Sequence, residues 1–187
     1  SKRFTYKGYF DRLVGIFEQK YGDTRFDLVI STDDNAYLFL ALHGDELFPG
    51  VPVLFCGVND PSQVMLHRNM NATGIMENID IAGTLNIARV LHPKAERLIL
   101  ISDYTDTGSF FIRRVREDFT LMNIDMEVRE LFGLTSEELK AQLASLDDRD
   151  SIILFFAFFK DGEGKILTVE ESLRLVATSS RHPVYSF

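Results

Sequence analysis

The chain has 187 residues, is 45% hydrophobic and 26% charged, and carries a formal net charge of -8. That composition excludes disorder, and the length allows one large domain or two smaller lobes with real cores. The acidic balance, with no stripe of Lys and Arg, disfavours nucleic acid as a partner, because phosphate binding needs clustered cations.

Apolar runs alternate with helical patterns along the chain. The first element is a helix over Tyr9–Tyr21. A buried strand follows at Phe26–Ser31, then a helix over Asp33–His43 with Thr32 or Asp33 as its N-cap. Phe48–Pro52 is a turn, Val53–Gly57 a strand, Gly57–Pro61 a loop and Ala72–Met76 a short strand. Ile81–Leu91 is a helix that stops ahead of Pro93. Met76–Asp80 is a lobe boundary, which divides the chain into a partial first lobe, 1–78, and a second α/β lobe, 79–187.

In the second lobe, Arg97–Ser102 is a strand, Gly108–Met122 a helix, Ile124–Glu130 a strand and Ser136–Leu146 a helix. Ser151–Ala157 is a strand whose unbroken apolar character requires cover on both faces. Val169–Thr178 is a helix and Pro183–Phe187 a last strand. Strand–helix alternation predicts parallel sheets with helical crossovers. A doubly wound lobe normally opens with a strand, so a first lobe that opens with a helix reads as truncated. Strand 26–31 should then keep a free edge, and free edges recruit other chains. The expectation is a homodimer paired there.

The lone cysteine, Cys56, lies in the apolar run 53–56 and reads as a buried, inert thiol; it has no partner for a disulfide or a metal site. No stretch resembles a signal peptide. The longest apolar run, 152–159, falls far short of the ~20 residues of a membrane helix.

Ligands of open α/β sheets bind beyond the carboxyl ends of the strands, which selects the candidate residues. These ends carry Ser31-Thr32-Asp33-Asp34-Asn35, then Gly57-Val58-Asn59-Asp60, then Glu77-Asn78 in the first half. The second half adds the loop 103–109, with Asp103, Thr105, Thr107 and Ser109, and the segment Phe158-Phe159-Lys160-Asp161. Each has a simpler reading. Asp33 and Asp34 fit helix capping, Asn59-Asp60-Pro61 a turn, Glu77 a solvated hinge, and Phe158 and Phe159 core packing. Glycine and hydroxyls at the start of helix 108–122 fit either a cap or an anion site.

Enzyme signatures are missing. His43, His67, His92 and His182 form no HExxH pattern, and there is no GxSxG, P-loop or GxGxxG. Asp161-Gly-Glu-Gly164 lacks calcium-loop spacing and reads as a turn. No cofactor and no metal is expected. The pair Asp33-Asp34 also admits a phosphoreceiver pocket, but no matching lysine or phosphoacceptor is identifiable.

The segment Phe26-Asp-Leu-Val-Ile-Ser-Thr-Asp-Asp-Asn-Ala36, with Glu46–Asp60 and Asn71-Ala-Thr-Gly74, resembles ABC-transporter substrate-binding-like proteins. It looks closest to versions fused outside the membrane to sensor histidine kinases or diguanylate cyclases. Leu91-His-Pro-Lys-Ala-Glu-Arg97 and Ser102-Asp-Tyr-Thr-Asp-Thr-Gly108 fit more loosely. The resemblance implies two Rossmann-like lobes in a Venus-flytrap arrangement, with a small organic ligand such as an amino acid or small carboxylate in the cleft. By position, Asp33, Asp34, Asn35, Asn59, Glu77, Asp103, Thr105, Thr107, Ser109 and Phe159 would face that ligand. The family has further segments before Ser1 and after Phe187. The implied role is an extracytoplasmic sensor domain of a membrane-anchored parent. The alternatives are a transport receptor and, in another class, a cytosolic flavodoxin-like enzyme.

Overall fold

A computed structural model describes residues 6–66, 71–122, 124–146 and 150–186; His67 and the terminal residue of the last expected strand, Phe187, lie outside them. The chain divides into two compact units, 1–78 and 79–187, each with its own parallel sheet.

The first unit contains α1 (Tyr6–Tyr21), β1 (Val29–Thr32), α2 (Asp34–Leu47), β2 (Val53–Val58), α3 (Pro61–Leu66) and β3 (Ala72–Met76). Its sheet has the order β1-β2-β3, with Val29 opposite Val53 and Val53 opposite Ala72. One face packs against the helices. There Phe10 of α1, Phe39 and Leu40 of α2, Phe48 and Val53 form an aromatic-rich core, extended by Phe17 and Phe26. Tyr37, Phe55 and Val58 make a second, smaller cluster.

Two expectations fail in this unit for one reason. Strand 26–31 was expected to be buried, and Cys56 with it. Side chains alternate across a strand, and only one face of this sheet is covered by the described residues. Val53 and Phe55 therefore point into the core, while Leu54 and Cys56 point away and are exposed. The same alternation exposes Ile30. The loop expected at 57–61 passes into a helix, because Pro61 occupies its first position and Asp60 caps it, accepting from the Ser62 amide at 2.9 Å and hydroxyl at 2.6 Å.

The second unit contains α4 (Ile81–Leu91), β4 (Arg97–Ser102), α5 (Asp106–Met122), β5 (Glu127–Phe132), α6 (Ser136–Ala144), β6 (Ser151–Phe155), α7 (Val169–Ser179) and β7 (Val184–Ser186). The sheet order is β5-β4-β6-β7, all parallel. Both faces are covered. Leu98, Leu100, Ile152 and Leu154 meet Leu85 and Ala88 of α4 and Ile112 and Val115 of α5. Ile99, Ile101, Ile153 and Phe155 meet Leu139 and Leu143 of α6 and Leu175 and Val176 of α7. Every residue of β4 and β6 is buried for this reason. β5 begins at Glu127 rather than Ile124, because Ile124 and Met126 pack ahead of the strand onto the core beneath α4 and α5.

Helices α6 and α7 start with reciprocal caps. Thr135 and Thr168 each accept from an amide three residues on, and Glu138 and Glu171 reach back to the capping residue's own N–H.

Candidate functional site

In the first unit the carboxyl ends of three parallel strands are tied together by short polar contacts. Asp33, just past β1, is the N-cap of α2, and its side chain accepts from the Asp34 amide at 2.7 Å. Its backbone stands at φ 80 and ψ 155, a region that is essentially reserved for glycine. A non-glycine residue held there stores ~1–3 kcal/mol of strain, and such strain collects at working sites.

Asp34 crosses to the end of β2. Its carboxylate accepts from the Asn59 amide at 2.9 Å, the Asn59 side-chain Nδ2 at 2.9 Å and the Asp60 amide at 3.2 Å. Gly57, with φ +67, lets the two chains approach. A Cβ there would stand 3.4 Å from the Asp33 amide nitrogen and 4.0 Å from the Glu77 carboxylate. The exposed carboxylates of Asp33 and Glu77 thus crown the tips of β1, β2 and β3. Asn35, one residue further into α2, is half-buried. The structure brings Asp33, Asp34, Asn59 and Glu77 together, and the rim they form is acidic.

The second unit is built around Asp103, which follows β4 and has no exposed surface. One oxygen accepts from the Thr105 amide at 2.9 Å and from the Thr105 hydroxyl. The other accepts from the Phe159 amide at 2.6 Å and the Lys160 amide at 3.1 Å. Asp103 therefore clamps the loop after β6 to the tip of the central strand. Gly108 is required beside it, because a Cβ would lie 2.3 Å from the Asp103 carbonyl oxygen. Thr105 also accepts from the Gly108 amide at 3.1 Å, so it caps the start of α5. Thr107 and Ser109 lie half-buried in the first turn of that helix. Phe159 is half-buried and held through its main chain, and Phe158 is wholly buried in the core.

A cavity of about 360 Å³ opens at these tips, lined by Tyr104, Thr105, Lys160, Asp161, Gly162, Glu163 and Gly164. Tyr104 and Lys160 supply the cavity's aromatic and cationic walls. Both lie in segments the sequence marked as candidates, the loop 103–109 and 158–161, but neither was singled out there. The Tyr104 ring stands edge-on to Phe132 at 4.5 Å and is two-thirds exposed. A Cβ at Gly133, where φ is +63, would strike that ring at 1.8 Å, so the glycine is what admits it.

Asp161 shapes the cavity floor. Its carboxylate accepts from the Ser136 hydroxyl at 2.7 Å and amide at 3.2 Å, the Lys165 amide at 2.9 Å and the Glu163 amide at 3.1 Å. Burial pushes its pKa up, but the hydrogen bonds from Ser136, Lys165 and Glu163 together outweigh it and hold the carboxyl below the ordinary aspartate value. Among the described residues no cluster of His, Cys, Asp and Glu has the arrangement of a metal site, and no helix is long and apolar enough to cross a membrane.

No protein-family model matches the chain, and no curated protein matches it. Solved structures do. A substrate binding protein with adhesive properties from Clostridium difficile, in its ligand-free, open form, aligns with a TM-score of 0.64 at 16% identity, covering 95% of this chain and 58% of that one. The fold is that of substrate-binding proteins. The ABC domain from Streptococcus pneumonia in complex with L-Trp aligns with a TM-score of 0.59 at 14% identity, covering 96% and 60%. A conserved domain protein from Vibrio cholerae gives 0.62 at 13%, covering 96% and 59%. This chain therefore spans less than two thirds of the length of each structure it matches. At these identities the likeness establishes the substrate-binding-protein fold and no more.

Proposed function

We propose that this chain is an extracytoplasmic binding domain for a small organic molecule, such as an amino acid or small carboxylate, and that it serves as the sensor input of a membrane-anchored signalling protein. One observation carries the reading. In both units the carboxyl ends of parallel strands present polar groups in loops that partly buried hydrogen bonds hold in place, on a fold shared with substrate-binding proteins. Preorganised polar groups of this kind lower the ordering cost of binding. The neighbour in complex with L-Trp supports an amino acid as the ligand class.

The chemistry assigns roles. Lys160 and the first turn of α5 suit a ligand carboxylate, and the exposed Tyr104 ring suits an apolar or aromatic side chain. In the first unit, taken by itself, the acidic rim of Asp33 and Glu77 suits a cationic group. Asp34 and Asp103, whose oxygens are already committed to the protein, are positioning residues.

A thermal-shift screen of the amino acids and small carboxylates, followed by calorimetry, tests this. A ligand at a hundredfold excess over its dissociation constant adds ~2.7 kcal/mol of stability. Lys160→Ala should weaken that ligand's affinity without moving the unliganded melting point. A complete screen with no stabilising compound refutes small-molecule binding.

A receptor feeding an ABC permease is the second reading, and it fits the same neighbours equally well. The binding chemistry would be unchanged. A kinase or cyclase encoded in the same polypeptide marks the sensor, and a neighbouring permease gene marks the transporter. Turnover of any ligand by the purified chain would replace both readings with an enzyme.

A further inference from the structure

Helix α4 of the second unit is apolar on both of its sides. Ile81, Leu85 and Ala88 pack into the core of that unit. On the other side Ile87 is 60% exposed, Val90 79% and Leu91 62%. Residues three and four apart are neighbours on a helix, so these three form one stripe. A helix that is apolar all round is ordinarily covered all round. The neighbouring helices do not share the pattern, since the exposed faces of α5 and α6 carry Arg113, Arg116, Glu117, Glu137 and Lys140. Arg89 is the single charged residue within α4, and it lies two residues from Ile87, ~200° round the helix.

The stripe is symmetric about Ile87. Gly83 lies four residues before it and Leu91 four after it, while Asp80 lies seven before and Lys94 seven after. Steps of four and seven return close to the same side of a helix. Asp80 is the N-cap, Lys94 stands in the turn beyond the C-cap His92, and both are exposed, so opposite charges close the two ends. An antiparallel copy of α4, related by a two-fold axis through Ile87, would set Ile87 against the partner's Ile87. Leu91 would cover the partner's Gly83, which has no side chain, and Lys94 would meet the partner's Asp80. Gly83 also has a local duty, because a Cβ there would come within 2.2 Å of the capping Asp80 carboxylate.

We propose that the outer face of α4 is the contact of a reversible homodimer, with a second copy of this chain seated on it in antiparallel, two-fold arrangement. A two-fold interface requires a patch that complements itself, in shape and in charge. Any other occupant would leave the matched ends of this stripe without a purpose. A contact one helix wide falls below the ~1,200 Å² of a standard interface, so the dimer should dissociate on dilution. The contact is made by residues 80–94 and is independent of any ligand.

Sedimentation velocity of the whole chain tests this, in reductant because Cys56 is exposed. Across roughly 10 μM to 1 mM the chain should pass from monomer to dimer. Ile87→Glu places like charges together on the axis and should weaken association about tenfold or more, with an unchanged melting midpoint because the position is exposed. Lys94→Glu and Asp80→Lys each set like charges at both ends, so each alone should remain monomeric. Mixed in equal parts they present opposite charges at both ends, and a heterodimer should form. The loss of the Asp80 cap cannot produce that rescue. A chain that is monomeric at every concentration overturns the proposal. So does a dimer that survives Ile87→Glu, since it must use another surface, the edge of β1 included. Failure of the two charge variants to rescue each other overturns the antiparallel pairing.

Discussion

Asp103→Asn separates a structural clamp from a ligand contact. The side chain is wholly buried and accepts four hydrogen bonds, two from Thr105 and one each from the Phe159 and Lys160 amides. Asparagine has the same shape but only one accepting oxygen. If that oxygen keeps Phe159 and Lys160, the new NH₂ faces Thr105, whose hydroxyl can rotate to accept while its amide loses its acceptor. If the amide flips, the Phe159 and Lys160 donors are stranded instead. The first orientation strands one donor and the second two, at ~1–3 kcal/mol each, so the variant adopts the first and loses ~1–3 kcal/mol. At ~2–4 °C per kcal/mol for a chain of this size, that lowers the melting midpoint by roughly 2–12 °C. Urea and thermal melts followed by far-ultraviolet circular dichroism measure it, with the exposed Asp125→Asn as the control. A variant within about 0.5 kcal/mol of wild type would refute the clamp. Weakened ligand affinity at unchanged stability would instead place Asp103 in the binding surface.

Two other outcomes are expected. Asp33→Gly relieves the backbone conformation at φ 80 and loses a cap for which glycine is a near-equal substitute, so it should raise stability by ~1 kcal/mol in urea melts; a loss of stability would show that the conformation is not strained. Asp161 holds its proton less tightly folded than unfolded, so its contribution is complete above the ordinary aspartate value of ~3.9 and disappears as pH falls through the lower folded value. The stability gap between wild type and Asp161→Asn should therefore close on acidification through that window, and a gap constant from neutral pH to pH 2 would contradict it.

The legible parts of the fold were those whose local pattern has one physical solution. The unbroken apolar run of β6 announces a strand covered on both faces, and Ile152 to Phe155 are buried accordingly; β4 was legible as a strand, and the structure shows it buried on both faces as well. The helices expected from residues 136 and 169 start there, and the structure supplies the reason, the reciprocal caps of Thr135 with Glu138 and Thr168 with Glu171. Pro61 carried the signal for α3, since proline suits a first helical position, but Asn-Asp-Pro also opens turns, and α3 was missed. Cys56 was misplaced because an apolar run does not reveal which of its faces is covered.

The sequence by itself determined the parallel α/β architecture and the polar character of the strand ends, because periodicity, caps and turn residues act over a few positions. Only the tertiary structure decided which of those polar groups are free. Asp103 and Asp34 are committed to partners 56 and 25 residues away, and Tyr104 is admitted by Gly133, just past the end of β5. Such contacts depend on strand order and register, which arise from burial summed over the whole sheet and leave no mark at any single position.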